Sequence, residues 1–124
     1  MKSKKSVSYC TDPVTLNSAY TAATTMGISV EEIVRRAIRE FANSLEESQS
    51  KTCNEGRSRG ATVEIYDEYT IQILQDVVKR TSLTQSTVIY RCLKKYLEYY
   101  KPQIRQRLEL ILNQLNEESE AIAA

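Results

Sequence analysis

The chain has 124 residues, 41% of them hydrophobic and 27% charged, with a net charge of only +1. This is a globular composition with room for one compact domain or two very small units sharing a core, and it excludes a uniformly basic nucleic-acid coat. There is no histidine, the cysteines Cys10, Cys53 and Cys92 are odd in number and widely spaced, and no apolar run reaches membrane-span length. The expectation is therefore a non-enzyme with no metal, cofactor, disulfide framework or membrane partner.

The first segment, MKSKKSVSYC, is basic but lacks the apolar stretch of a signal peptide, which predicts a cytoplasmic protein. Lys2, Lys4 and Lys5 all precede the first acid, Asp12, so positive charge gathers at the front. SVSYCT at 6–11 alternates in character and predicts a short strand. Asp12 and Pro13 then open a helix, Asp as the cap and Pro at the first helical position. Gly27 marks a turn, and Ser29 with Glu32 has the capping-box spacing for a second helix. The apolar face of that helix is Ile33, Val34, Ala37, Ile38 and Phe41.

EESQSKTCNEGRSRG at 46–60 is polar and reads as a linker. The pattern then begins again. Laid along itself, the stretch 7–42 falls on 62–97 without a gap. Only three positions are identical (Asp12/Asp67, Thr15/Thr70 and Arg36/Arg91), but the apolar positions of the helices correspond. Leu16 meets Ile71, Ile28 meets Leu83, Ser29 meets Thr84, Ile33 and Val34 meet Val88 and Ile89, and Phe41 meets Tyr96. ATVEIY at 61–66 predicts the second strand, Asp67–Glu68 the next helix start, Ser82 the turn, and Thr84 the start of the fourth helix. Tyr90, Tyr96, Tyr99 and Tyr100 lie on or beside its apolar face, which predicts packing rather than stacking on bases. Lys101–Pro102 is expected to end that helix. A separate amphipathic helix follows, with Ile104, Leu108, Ile111 and Leu115 on one stripe. The division is thus unit one at 1–45, linker at 46–60, unit two at 61–100 and a C-terminal segment at 101–124.

A lone strand leaves its backbone groups unpaired. Each unit therefore needs the other, and the linker supplies it at an effective concentration of about the millimolar range. The expected fold is mainly α with a short two-stranded antiparallel ribbon over four interlocked helices. Strand, helix, Gly turn and a Ser/Thr-started Ile/Val-rich helix, as in GISVEEIVRRAI, resembles the ribbon–helix–helix family of DNA-binding proteins, and the distance from Asp12 to Gly27 is also the family's spacing. The resemblance covers 7–42 and again 62–97, as in the family's tandem members.

That resemblance implies a ribbon in the major groove of double-stranded DNA, with phosphates held at the starts of the second helices. In copy one, Ser6, Ser8 and Cys10 would face the bases, Val7, Tyr9 and Thr11 the core, and Lys4 and Lys5 the phosphates. In copy two the same spacing would bury Glu64 without a partner, which is costly. A one-residue shift is expected instead, with Val63 and Ile65 inward and Thr62 and Glu64 outward. Thr84, Gln85 and Ser86 offer donors for a phosphate. Ser29 and Val30 occupy the matching place, but Glu31 and Glu32 follow them. The functional expectation is a sequence-specific DNA-binding regulator, a repressor or plasmid-type DNA-processing factor, with two or more chains associating on DNA. The alternative is an antitoxin or interaction module whose C-terminal helix binds a partner protein. A helical bundle without a ribbon is a third outcome.

Overall fold

The computed structural model describes residues 5–45 and 59–123, the last five of these by backbone only. The order is β1 (Lys5–Thr11), α1 (Pro13–Met26), α2 (Val30–Phe41), a 3-10 turn (Ala42–Ser44), β2 (Arg59–Ile65), α3 (Glu68–Thr81) and α4 (Gln85–Ala123). The two strands form one antiparallel ribbon, so the mainly helical class with a two-stranded sheet holds. No helix among the described residues is long and apolar enough to cross a membrane.

The strand register fixes which side chains face the core. Val7 lies opposite Val63, and both are buried along with Tyr9, Thr11 and Ile65. Ser6, Ser8 and Cys10 face outward, opposite Glu64, Thr62 and Gly60. Thr62 is exposed, Glu64 half-buried, and Val63 and Ile65 fully buried. The second strand therefore has the shifted phase expected from the cost of burying Glu64. The ribbon's pseudo-two-fold passes through the Ser8–Thr62 pair and carries Lys5 onto Arg59 and Thr11 onto Ile65. The residue after Thr11 is the cap Asp12, whereas Tyr66 intervenes between Ile65 and the cap Asp67. That one inserted residue puts strands and helices out of step between the two units.

The caps repeat closely. Asp12 accepts from the Thr15 backbone N–H at 2.9 Å and from its hydroxyl at 2.6 Å; Asp67 accepts the same two bonds from Thr70 at the same distances. Each satisfies donors that a helix start leaves open. The turn after α1 uses Gly27 at φ 70°, and the turn after α3 uses Ser82 at φ 60°. This left-handed conformation is easy for glycine and strained for serine.

The helix faces close the core beneath the ribbon. Ile33, Val34, Ala37 and Ile38 of α2 and Val88, Ile89, Cys92, Leu93 and Tyr96 of α4 are buried to 2% exposure or less. The expected packing role of the tyrosines holds for Tyr90 and Tyr96, which are buried. Tyr99 and Tyr100 extend the cluster at the rim, where Tyr99 meets Phe41 edge-on and the Tyr100 hydroxyl donates to Glu40 at 2.5 Å. Burial pushes the Cys92 thiol up to about 12, so it packs as a small apolar side chain.

Two expectations need correction. The linker ends earlier than expected, because Arg59 and Gly60 belong to β2. They sit opposite Thr11 and Cys10, and that pairing gives backbone groups partners which a linker would leave to water. The helix does not break at Lys101–Pro102. α4 runs through Pro102 without interruption. Proline at 102 removes the bond to the Glu98 carbonyl, but both residues are exposed, so water can take that acceptor. Along the C-terminal stripe, contact with the core stops at Ile104, and every described residue from Arg105 to Glu118 is exposed.

Candidate nucleic-acid interface

The outward face of the ribbon carries Ser6, Ser8 and Cys10 from β1 and Gly60, Thr62 and Glu64 from β2. All but Glu64 are exposed and small or hydroxyl-bearing; Glu64 is the single acid. Short polar side chains on a flat two-stranded ribbon can approach the edges of base pairs, and the ribbon's width suits a major groove. Lys5 lies at one end of the ribbon, half-buried, and Arg59 at the other, exposed. Lys4 lies outside the described residues.

Each edge of the ribbon is tied to the start of a second helix from the other unit. The Cys10 N–H donates to Ser86 Oγ at 2.9 Å, joining β1 to α4. The Glu64 N–H donates to Glu31 Oε2 at 3.2 Å, joining β2 to α2. The two links are counterparts, since the ribbon's pseudo-two-fold carries Cys10 onto Glu64 and the helix repeat carries Glu31 onto Ser86. Arg35 adds a second tie on the α2 side, donating to the Glu64 carbonyl at 2.7 Å. Its guanidinium also lies 5.6 Å from the centre of the Tyr66 ring. The Tyr66 hydroxyl in turn donates to the Glu64 carboxylate at 2.7 Å. The strands' outer backbone groups are thus partly satisfied from the side, and the ribbon is held at a fixed height over the two helix starts.

These ties bring the sequence-predicted residues into two neighbourhoods. Ser29 and Val30 share a groove with Gly60, Ala61 and Thr62. Ser8, Cys10, Thr62 and Ser86 line a second groove, which meets the first at Gly60, Ala61 and Thr62. Thr84 caps α4, its hydroxyl accepting the Thr87 N–H at 3.2 Å, and Gln85 and Ser86 form the first turn. That turn contains no acid, so the positive end of the helix dipole is unopposed there.

The start of α2 differs. Ser29 Oγ accepts the Glu32 N–H at 3.1 Å, which is one half of the predicted capping box. The reciprocal half is replaced. The Glu32 carboxylate turns to Arg35 at 3.0 Å and to Arg36 and Arg39 at 3.3 Å each. Burial works to raise its pKa, but the bonds and charges of these arginines hold it below the usual carboxylate range. Glu31 is likewise occupied by Glu64 and lies 3.8 Å from Arg35. The two acids are therefore drawn into an arginine network rather than left projecting beside the helix start.

Sequence reasoning missed Arg59, Gly60 and Arg35. Gly60 has no side chain to show alternation, and Arg59 falls in a run that reads as linker. Arg35 sits where unit two has Tyr90, and its partner carbonyl, that of Glu64, belongs to the other unit. No group of metal-ligating side chains occurs among the described residues. No family model, curated protein or solved structure matches the chain.

Proposed function

We propose that this chain is a tandem ribbon–helix–helix protein that binds double-stranded DNA in a sequence-specific way and acts as a repressor or DNA-processing accessory factor. The observation that carries the reading is the antiparallel ribbon with Ser6, Ser8, Cys10, Thr62 and Glu64 on its outer face, flanked by two helix starts tethered to its edges. In this reading the ribbon enters the major groove. Hydroxyls of Ser6, Ser8 and Thr62 donate to or accept from base edges, and the Glu64 carboxylate accepts from a cytosine amino group. Lys4, Lys5 and the start of α4 at Thr84, Gln85 and Ser86 hold phosphates; Ser29 and Val30 hold the opposite strand more weakly. The two halves of the ribbon carry different side chains, so the recognised sequence is not a palindrome.

The test is selection of duplexes from a random pool by the full chain, at several salt concentrations. A selected motif is expected. Ser8→Ala/Thr62→Ala should cut the preference for that motif over random DNA by roughly ten- to a hundredfold, at about 1–3 kcal/mol for lost base contacts. Lys4→Ala/Lys5→Ala should weaken all duplexes alike and lower the salt slope by about 2. Absence of a motif, with both variants matching the parent, would overturn the reading.

A protein-interaction role has its own support in the exposed apolar side chains of the α4 extension. Removing 103–124 separates the two, because ribbon-borne DNA binding should persist at the level of a single chain.

A further inference from the structure

α4 outruns the body it belongs to. Past Ile104, which is partly buried against the core, the helix continues with Leu108 37%, Ile111 40% and Leu115 54% exposed. A bare helix of this length is marginal in water and gains stability by packing its apolar face. Among the described residues nothing in the chain covers it.

The stripe has an internal order that indicates what covers it. At 3.6 residues per turn, Lys101, Ile104, Leu108, Ile111, Leu115 and Glu118 fall within a band about 100° wide. Their spacings are 3, 4, 3, 4 and 3, the heptad rhythm of a coiled-coil seam. That series reads the same in both directions. Laid antiparallel on itself, the stripe places Leu108 on Ile111, Ile104 on Leu115 and Lys101 on Glu118, each twice, which makes six layers. The outer two layers are opposite charges and the inner four are aliphatic. A parallel pairing would instead stack Lys101 on Lys101 and Glu118 on Glu118. The flanking charges favour the same direction, with Arg105 and Arg107 toward one end and Glu117 beside Glu118 at the other. The exposed groove between α1 and α4, lined by Val14, Leu97, Lys94, Lys101 and Ile104, continues the stripe toward the body and offers two lysines to the partner's acidic end.

We propose that the extension of α4 is a self-association surface whose occupant is the same extension of a second copy of this chain, paired antiparallel with Lys101 against Glu118. The seam is about 26 Å long at 1.5 Å per residue. The resulting dimer carries two ribbons, but its formation does not depend on DNA.

The full chain without DNA, studied by sedimentation equilibrium, tests this directly. A monomer–dimer equilibrium is expected, and Leu108→Glu/Ile111→Glu should weaken it by at least a hundredfold while circular dichroism and thermal unfolding show the body intact. Lys101→Glu alone, or Glu118→Lys alone, should weaken the dimer roughly tenfold, since each creates two like-charge layers. The double exchange Lys101→Glu/Glu118→Lys should restore it. A parent that stays monomeric to hundreds of micromolar overturns the proposal, as does a dimer unaffected by Leu108→Glu/Ile111→Glu. Failure of the double exchange to rescue overturns the antiparallel register. Because no DNA is present, none of these outcomes bears on the ribbon's proposed role.

Discussion

The two units share a plan but fill it differently. The face that α1 turns to the core is alanine: Ala19, Ala22 and Ala23. The same positions of α3 are Leu74, Val77 and Val78. The compensation comes from the residues around them. Where unit two has Val63 in the strand and unit one has Arg35 on α2, the counterparts are Tyr9 and Tyr90, both buried. Tyr90 reaches the cap of α1, its hydroxyl donating to Asp12 Oδ1 at 2.5 Å. Each unit thus mixes the two kinds of residue: unit one sets small alanines and a half-buried arginine beside a buried tyrosine in its strand, and unit two sets branched aliphatics beside a buried tyrosine in its last helix. Close packing fixes total volume at a site, not which element contributes it.

The largest break in this comparison should come from the aliphatic side. Leu74→Ala gives α3 the residue that α1 has at Ala19, but without a tyrosine to fill the gap. It should cost about 2–5 kcal/mol. The reverse exchange, Ala19→Leu, crowds a fully buried site and should cost about 1–3 kcal/mol. Denaturant unfolding measures both. Equal and negligible costs would mean that the halves are interchangeable.

A smaller effect separates the caps. Asp12→Ala loses the bonds to Thr15 and also strands the Tyr90 hydroxyl, so about 2 kcal/mol is expected, against about 1 kcal/mol for Asp67→Ala. The pH dependence sharpens the distinction. Burial works to raise the Asp12 pKa, but hydrogen bonds from the Thr15 hydroxyl, Tyr90 and the Thr15 N–H outweigh it and hold it at about 2, down from 3.8. A depressed carboxylate pKa stabilises the fold above the unfolded value, and that contribution disappears as pH falls through the folded one. The melting-temperature advantage of the parent over Asp12→Asn should therefore be full at pH 5 and shrink between about pH 4 and 2. An advantage unchanged at pH 2 would show that geometry, not ionisation, carries the cap.

The smallest expected effect concerns the turns. Ser82→Gly gives unit two the residue unit one uses at Gly27. Relief of the positive φ is partly offset by glycine's freer unfolded state, so a gain of about 0.5 kcal/mol is expected in thermal melts.

How far these features were legible depended on the range of the forces involved. The caps Asp12 and Asp67 and the turn at Gly27 follow from local chemistry within about one helical turn. The shifted phase of β2 was readable because only that phase keeps Glu64 out of the core. The continuity of α4 through Pro102 was not, because the local rule against proline is overridden where the lost acceptor faces water. The fate of Glu32 was hidden too. The capping-box spacing is there, yet Arg35, Arg36 and Arg39 together outcompete a single backbone N–H. The outward residues of β1 came from the spacing of the resembled family, whereas Gly60 and the Arg35 tie required the partner strand.

Joining both units in one chain has a genetic consequence. In a symmetric pair of separate chains, every coding change is made twice, once in each half, and its costs double. Here a change at Ala19 leaves Leu74 as it was, and a change at Ser8 leaves Thr62 untouched. The two sides of the ribbon are inherited as separate letters, so one can be rewritten while the other continues to hold the fold together.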